Sequence, residues 1–377
     1  MLRVLYLVST LKRAGPVNQL YNLLSNIDRE VIEPLVLTLS GEAPESRWTD
    51  FQLLNIRLES LGLSRPIGVI LGNRQLKLMV DQLKPDLLHS QGLRSDHLVS
   101  GFKGKMPIVT TLRNYPQLDY PMTYGFLVGR LMVKQHLKAL KRFDCCAGVS
   151  EEVTNNAMVQ YGLTNMKTVH NGIETSHFYR ASTGEKRKLR KKLSLPVNGK
   201  LWITTGHLTE RKNPLFLIKT WKKNYGVRSN QHLIFIGDGD LKKACQNAAD
   251  AASNIIFVGR TTDVASYLQA GDFYISASRA EGFPNAVLEA MACGLPALLS
   301  KIAPHEEVQR YVGEGVRLFE SDRETGLVEG IAEMLVSDYE CCAESVIGAV
   351  NQNFSARIMA ANYKDIYLKV SANFIRE

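Results

Sequence analysis

Residues 278–300 read SRAEGFPNAVLEAMACGLPALLS, and this stretch decides the fold class. Gly282, Phe283 and Pro284 make a loop, Ala286–Cys293 has the spacing of a helix, and Pro296–Leu299 is a short apolar run. Ahead of it stands another, Phe273–Ser276 (FYIS). Such runs carry no alternation of polar and apolar residues, as expected for strands buried on both faces of a parallel sheet. Strand, loop, helix and strand make a β-α-β unit with a right-handed crossover.

The same rhythm continues outward. Leu201–Thr205, His232–Ile236 and Asn254–Val258 read as strands, with helices over Pro214–Lys222 and Lys242–Ala251. Nearer the N-terminus, Arg3–Ser9, Val31–Leu39, Asp86–Ser90 and Pro107–Thr111 are strands. Helices follow over Val17–Ile27 and Gln75–Leu83, the second halted at Lys84 because a residue before proline avoids the helical region. Between the two series lies Glu174–Lys192, with the basic run EKRKLRKK, which reads as a solvated helix face in an interdomain connector. The expectation is an α/β chain of two Rossmann-like, doubly wound parallel-sheet domains facing across a cleft at their strand ends. Their bounds are 1–172, completed by a C-terminal helix over about 356–377, and 173–355.

The chain length, 377 residues, suits two domains. With 45% hydrophobic and 22% charged residues, the composition excludes a disordered tail, a collagen-like fibre and a small disulfide scaffold. No apolar run reaches the ~18–20 residues of a membrane span. The opening MLRVLYLVSTLKRAG has charge inside its first strand and lacks the form of a signal peptide, so a cytosolic location is expected. Six cysteines, at 145, 146, 245, 293, 341 and 342, form no metal or redox spacing and read as small buried hydrophobes. Net charge is +9, and residues 1–180 carry +6 of it. That basic half calls for an acidic partner, but no motif or aromatic-interleaved basic stripe points to nucleic acid.

The chemistry gathers at predicted strand ends. Glu281 sits in a loop that can present a carboxylate to sugar hydroxyls. Beside it the helix start favours an anion such as a diphosphate, and Glu289, about two turns into the helix, could grip a ribose diol. The alternative for this pair is a capped helix with an exposed Glu face. In TTGHLTERKNPLF (204–216) a strand ends at Gly206, and Arg211 and Lys212 precede a proline helix start. Two cations there can stabilise charge on a leaving diphosphate, or they are ordinary surface cations on a turn. Asp238-Gly239-Asp240 could hold a metal, but a turn glycine and Asp240 as helix N-cap explain it. In the N-terminal half Gly15 allows close approach to a phosphate, yet the dinucleotide-binding glycine pattern and its acidic partner are absent. His89, His97, Arg113 and Asn114 lie at or near strand ends as acceptor-side candidates.

Together, KPDLLHSQG, AGVSEEV, VHNGIETSHF, TGHLTERKNP, IGDGDL and EGFPNAVLEAMACGLPALLS resemble the retaining glycosyltransferases of family 4 (glycosyl transferases group 1), which have the GT-B fold. The specific element is E-x7-E followed by A-x-x-x-G-x-P. The closing FSARIMAANYKDIYLKV looks like the family's final helices, which cross back onto the first domain.

The resemblance implies that Glu281 lies against the donor sugar, that Glu289 binds the ribose, and that Lys212 with Arg211 holds the diphosphate. It places the backbone of Phe283, Pro284 and Asn285 at sugar and phosphate, Gly15 under the diphosphate, and the base near Gly259 and Arg260. No metal or other cofactor is implied. Two departures stand out: His207 follows Gly206 where the family often has Arg, and Arg113 replaces a frequent His in TTLRN. The implied reaction moves a hexose from a nucleotide-diphosphate sugar, a UDP-sugar in the favoured reading, to an acceptor hydroxyl with retention. The helix Arg130–Arg142, with six basic or His side chains beside its leucines, reads either as a contact with the anionic inner membrane or as an ordinary amphipathic helix. By analogy the acceptor is a glycan, on a lipid carrier in O-antigen, capsule or lipopolysaccharide synthesis, met at the cytoplasmic face. The rival readings are a GT-B nucleotide-sugar epimerase and an inactive, membrane-associated partner of another transferase.

Overall fold

The computed structural model describes residues 1–226, 230–250 and 252–376. Ala251 and Glu377, the ends of two expected helices, lie outside the described residues. The chain divides into two compact units, Met1–Gly172 together with the segment from Ala356, and Ile173–Ser355.

In the first unit seven strands form one parallel sheet: β1 Leu2–Val8, β2 Ile32–Thr38, β3 Arg57–Ser60, β4 Leu87–Gln91, β5 Ile108–Leu112, β6 Cys145–Gly148 and β7 Met166–Thr168. Their order is 3-2-1-4-5-6-7, and β1 pairs with β2 in unbroken register from Leu2↔Ile32 to Val8↔Thr38. One face of β1 packs Val4, Tyr6 and Val8 on Leu20, Leu23 and Leu24 of the helix Gly15–Asn26. Met359, Ala360, Tyr363 and Tyr367, from the closing helix Ala356–Arg376, complete that layer.

The same layer corrects the reading of His89 as an acceptor-side residue. His89 lies within β4, fully buried, with Nδ1 2.7 Å from the Tyr367 hydroxyl and Nε2 2.9 Å from Thr111 Oγ1. Burial, and secondarily the charge of Arg113, pushes its pKa down to about 3, so the ring is neutral. It is a core histidine that ties the closing helix to the sheet.

The second unit repeats the plan with six strands: β8 Lys200–Thr205, β9 Gln231–Ile236, β10 Ile255–Gly259, β11 Phe273–Ser276, β12 Ala297–Ser300 and β13 Val316–Phe319. They are parallel in the order 10-9-8-11-12-13. Trp202 stacks on Phe273 at 4.5 Å and meets Trp221 edge-on at 6.2 Å, so three large rings fill the centre. The chain thus has two parallel-sheet α/β domains, of seven and six strands.

Three local expectations need correction. The basic run is the expected helix, Thr183–Lys192, and Arg187, Lys188, Lys191 and Lys192 are exposed on it, but it opens on a Ser182–Glu185 capping box and belongs to the second unit rather than to a connector. Arg190 is buried there, bonding the Asp272 carboxylate at 2.6 Å and the Ala270 carbonyl at 2.9 Å. The helix expected from Gln75 starts at Arg65. Its first turns escaped the periodicity because Ile67, Val69, Ile70 and Leu71 are all exposed, which breaks the 3.6-residue pattern. Finally, Asp240 is not the helix N-cap. The N-cap of the helix Lys242–Ala249 is Leu241, and the neighbouring Asp238 carboxylate accepts from Gly239 N–H and from Lys242 Nζ, each at 2.8 Å.

Candidate active site

The second unit's strand exits are held by glycines. Gly206 and Gly237 follow β8 and β9 at φ +133° and +143°, and a Cβ on Gly237 would stand 1.9 Å from the Gly206 carbonyl oxygen. Gly206 N–H donates to the Ile236 carbonyl and Gly237 N–H to the Gly259 carbonyl, both at 2.9 Å. The ends of β8, β9 and β10 are thereby stitched together. After β8 the chain makes a tight turn over Glu210–Lys212 and passes through Asn213 at φ +53° into the helix Pro214–Asn224. The Asn213 side-chain amide donates to Asp322 at 2.7 Å, and Arg279 N–H donates to the Arg211 carbonyl at 2.8 Å. That last bond joins the turn to the loop carrying Glu281.

The result is a compact charged cluster. Lys212 Nζ donates to Glu281 Oε1 at 2.5 Å, and Arg211 Nη1 donates to Oε2 at 3.0 Å. The Lys212 stem passes over Gly206, whose missing Cβ would meet Lys212 Cε at 3.3 Å. Glu281 is 8% exposed. Burial alone would raise its pKa, but the charges of Lys212 and Arg211 outweigh that and hold it below the ordinary carboxylate range. An ionised carboxylate therefore keeps two cations in position.

Glu289 lies on the helix Asn285–Ala292 as its fifth residue, just over one turn in rather than two. Burial pushes its carboxyl up to about 7 against the pull of Lys212. Among the described residues the carboxyl has no side-chain hydrogen-bond partner. A partly buried carboxyl without a protein partner is suited to accept hydroxyl donors from a ligand. Pro284 and Phe283 are buried, Phe283 packing 5.5 Å from Phe354, and they hold the loop between the two glutamates. Gly259 (φ +80°) ends β10 and the exposed Arg260 follows it.

His305 was missed in the sequence. It is fully buried in the first turn of the helix Ala303–Val312, where Nδ1–H donates to the Ser300 carbonyl at 2.7 Å. Nε2 has no partner among the described residues, and burial pushes the ring pKa down to about 4. Its neighbours on that helix gave no local signal of its burial, which the packing of the helix against β13 and the helix Tyr339–Ala349 brings about.

The other candidates belong to the first unit. Gly15 is exposed at the start of its helix, and His97 is exposed on the helix Leu93–Val99. Asn114 is half-buried just past β5. Arg113, beside it, bonds the neutral oxygens of Gln91 (2.9 Å) and Asn171 (3.4 Å). Among the described residues it has no carboxylate partner, and its Nε is buried without a hydrogen bond. A guanidinium at a strand's carboxyl end with only neutral partners leaves an unbalanced positive charge there.

Residues 14–177 match the model of Glycosyltransferase Family 4, and residues 199–337 match that of Glycosyl transferases group 1. An O-antigen biosynthesis glycosyltransferase, WclY, of Escherichia coli is 25% identical over 80% of each chain. The Escherichia coli UDP-Gal:alpha-D-GlcNAc-diphosphoundecaprenol alpha-1,3-galactosyltransferase is 30% identical over 36% of this chain and 37% of its own. Among solved structures, Anabaena Alr3699/HepE in complex with UDP superposes with TM-score 0.82 at 17% identity, covering 98% of this chain and 100% of that one.

Proposed function

The chain belongs to the glycosyltransferases of family 4 (group 1), and from that premise we propose that it moves a hexose from a UDP-sugar to a hydroxyl of a lipid-linked glycan, with retention. The observation that carries the reading is the pairing of Glu281 with Lys212 and Arg211, beside the unpartnered Glu289 carboxyl. In the bound state the diphosphate takes over the two cations, which stabilise the charge that grows as the sugar–phosphate bond breaks. Glu281, released from them, turns to the sugar hydroxyls, and Glu289 accepts the ribose diol. The acceptor hydroxyl attacks from the face the diphosphate leaves, and a phosphate oxygen takes its proton, so the anomeric configuration is kept. No metal is needed where two side-chain cations already meet the diphosphate.

The donor base is assigned to uridine because a solved neighbour is held with UDP and a relative is named for UDP-Gal. The lipid-linked acceptor rests on the relative named for a diphosphoundecaprenol substrate and the one named for O-antigen biosynthesis. Contact with an anionic membrane rests on the helix Phe126–Leu140, whose Phe126, Leu127, Val128 and Leu131 are exposed beside Arg130, Lys134 and Lys138. No helix among the described residues is long and apolar enough to cross a membrane.

Thermal unfolding against UDP, GDP, ADP, CMP and dTDP, without metal, tests the donor site. A ligand at ~100 times its dissociation constant adds about 2.7 kcal/mol. A shift with UDP that disappears in Lys212→Ala supports the assignment. No shift with any nucleotide, with or without Mg²⁺, overturns it. Turnover of a UDP-sugar without an acceptor would instead favour the epimerase reading.

A further inference from the structure

Among the non-glycine residues with left-handed backbone, Asn213 and Asp322 meet through their side chains. Asn213, directly after Lys212, is at φ +53°, and Asp322, three residues past β13, is at φ +61°. Asn and Asp enter that region more readily than other side chains, and they stay there when their surroundings over-determine them. Here each helps to fix the other, since the Asn213 amide donates to Asp322 Oδ1 at 2.7 Å. Asp322 also stands on firm ground. Phe319, the last residue of β13, is buried and stacks 6.2 Å from Phe216 of the helix Pro214–Asn224.

The same carboxylate takes a forked guanidinium. Arg279 donates from Nη2 to Oδ1 at 3.1 Å and from Nε to Oδ2 at 3.2 Å. That fork, and after it the Asn213 amide, holds the Asp322 carboxyl below the ordinary carboxylate range. Arg279 Nη1 also stands 3.5 Å from Glu210 Oε2, and Arg211 Nη1 donates to the Ala280 carbonyl at 3.0 Å. One side chain after β13 thus grips the turn after β8 through Asn213 and the loop after β11 through Arg279. The first carries Arg211 and Lys212, and the second carries Glu281.

What the clamp holds decides what it is for. None of Glu210–Lys212 is buried, so the turn adds nothing to the core. Asp322 and Arg279 are 48% and 46% exposed, and ion pairs so open to solvent contribute little to folding. The effect falls instead on the aim of two cations, where a misplacement of about 1 Å can cost ~100-fold in rate. We propose that Asp322 is a positioning residue, which clamps the turn after β8 to the loop after β11 and so sets Lys212 and Arg211 on the donor diphosphate. The inference rests on the reading of the chain as a UDP-sugar transferase.

The test is a double-mutant cycle between Asp322→Gly and Lys212→Ala, read by UDP titration and by denaturant unfolding of the full chain. Glycine deletes the carboxylate without opposing the left-handed φ. Asp322→Gly should weaken UDP at least ~10-fold, about 1.4 kcal/mol, in the wild-type background and no more than ~3-fold beside Lys212→Ala. The stability lost on Lys212→Ala should likewise shrink to about half once residue 322 is glycine. Asp322→Asn keeps the left-handed preference and an acceptor for Asn213, and should bring UDP affinity back to within ~3-fold of wild type. The UDP cycle decides. Wild-type UDP affinity in Asp322→Gly, or a loss of the same size with and without Lys212, overturns the proposal. If Asp322→Gly fails to fold, Asn213→Gly, which cuts the same contact from the other side, takes its place in the cycle. Absence of UDP binding by the wild-type chain is a separate failure, of the transferase reading. The unfolding cycle then decides alone, and additive costs in it overturn the clamp.

Discussion

Lys212 Nζ and Glu281 Oε1 stand 2.5 Å apart although 69 residues separate them in the chain. The contact gives a buried carboxylate its counter-charge and holds a cation where a diphosphate is to arrive. Its removal leaves Glu281 with Arg211 alone, and losing one partner of a buried pair costs up to ~3–5 kcal/mol. Because Arg211 remains and Lys212 is partly exposed, Lys212→Ala should destabilise by about 1–3 kcal/mol. UDP affinity should fall at least ~10-fold. Denaturant unfolding and nucleotide titration measure the two effects separately.

Glu289 makes stability depend on pH. Its folded-state pKa, about 7, lies above the ordinary carboxyl value of 4.5, so between those values the folded chain retains a proton that the unfolded chain has lost. Stability from this group is therefore complete below about pH 4.5 and declines as pH rises through 7. Glu289→Gln keeps a neutral side chain throughout. The variant should gain melting temperature relative to wild type between pH 5 and pH 8, while losing UDP affinity ~10-fold or more. A constant difference in melting temperature across that range would refute the buried-carboxyl account.

His89 has the opposite sign. Its folded pKa, about 3, lies below the ordinary imidazole value of 6.5, so the unfolded chain takes up a proton that the folded chain excludes. Stability from the neutral ring is present above pH 6.5 and is lost as pH falls towards 3. His89→Gln should flatten the acid-unfolding curve between those limits. Tyr367→Phe, which removes the hydroxyl at 2.7 Å, should cost about 1 kcal/mol at neutral pH. Neither substitution should alter the KM for the donor by more than ~2-fold.

Gly237 tolerates no side chain. At φ +143°, with a Cβ position 1.9 Å from the Gly206 carbonyl, alanine must push β8 and β9 apart at their exits. Gly237→Ala should lower stability by more than ~2 kcal/mol and weaken UDP binding, since Gly206 underlies the Lys212 stem. Gly101→Ala, where added bulk meets no atom of the described residues within 4 Å, is the control and should be nearly neutral.

Arg113 supplies an unbalanced cation at the end of β5. Arg113→Gln should leave UDP binding unchanged and raise the KM for an acceptor bearing phosphate or carboxylate at least ~10-fold. An unchanged acceptor KM would reduce Arg113 to a structural bridge between Gln91 and Asn171. Chelation by EDTA should leave turnover intact, because Asp238 is engaged by Lys242 and Gly239 rather than free for a metal.

What could be read from the sequence was what is local in it. Buried parallel strands are short apolar runs, so β1, β2, β8, β9 and β11 were visible, and their alternation with helices gave two doubly wound sheets. β3 (RLES), β7 (MKT) and β13 (VRLF) escaped because charged residues interrupt them, and β6 (CCAG) because its residues are small, whereas FYIS and ALLS, equally short, stand out as apolar runs. The E-x7-E segment was legible because its loop and helix are contiguous.

By itself, the sequence determined the two α/β halves, the strand-end positions of its charged motifs and the spacing of Glu281 from Glu289. Only the tertiary structure decided which of those groups meet. It paired Lys212 with Glu281, singled out Arg190 from an otherwise solvated basic helix and buried it on Asp272, and took His89 into the core through Tyr367, 278 residues away. It also left Val69 and Ile70 exposed beside a groove lined with cations. The physical reason is that desolvation and pairing energies depend on atoms a few ångströms away, and chain order does not say which atoms those are.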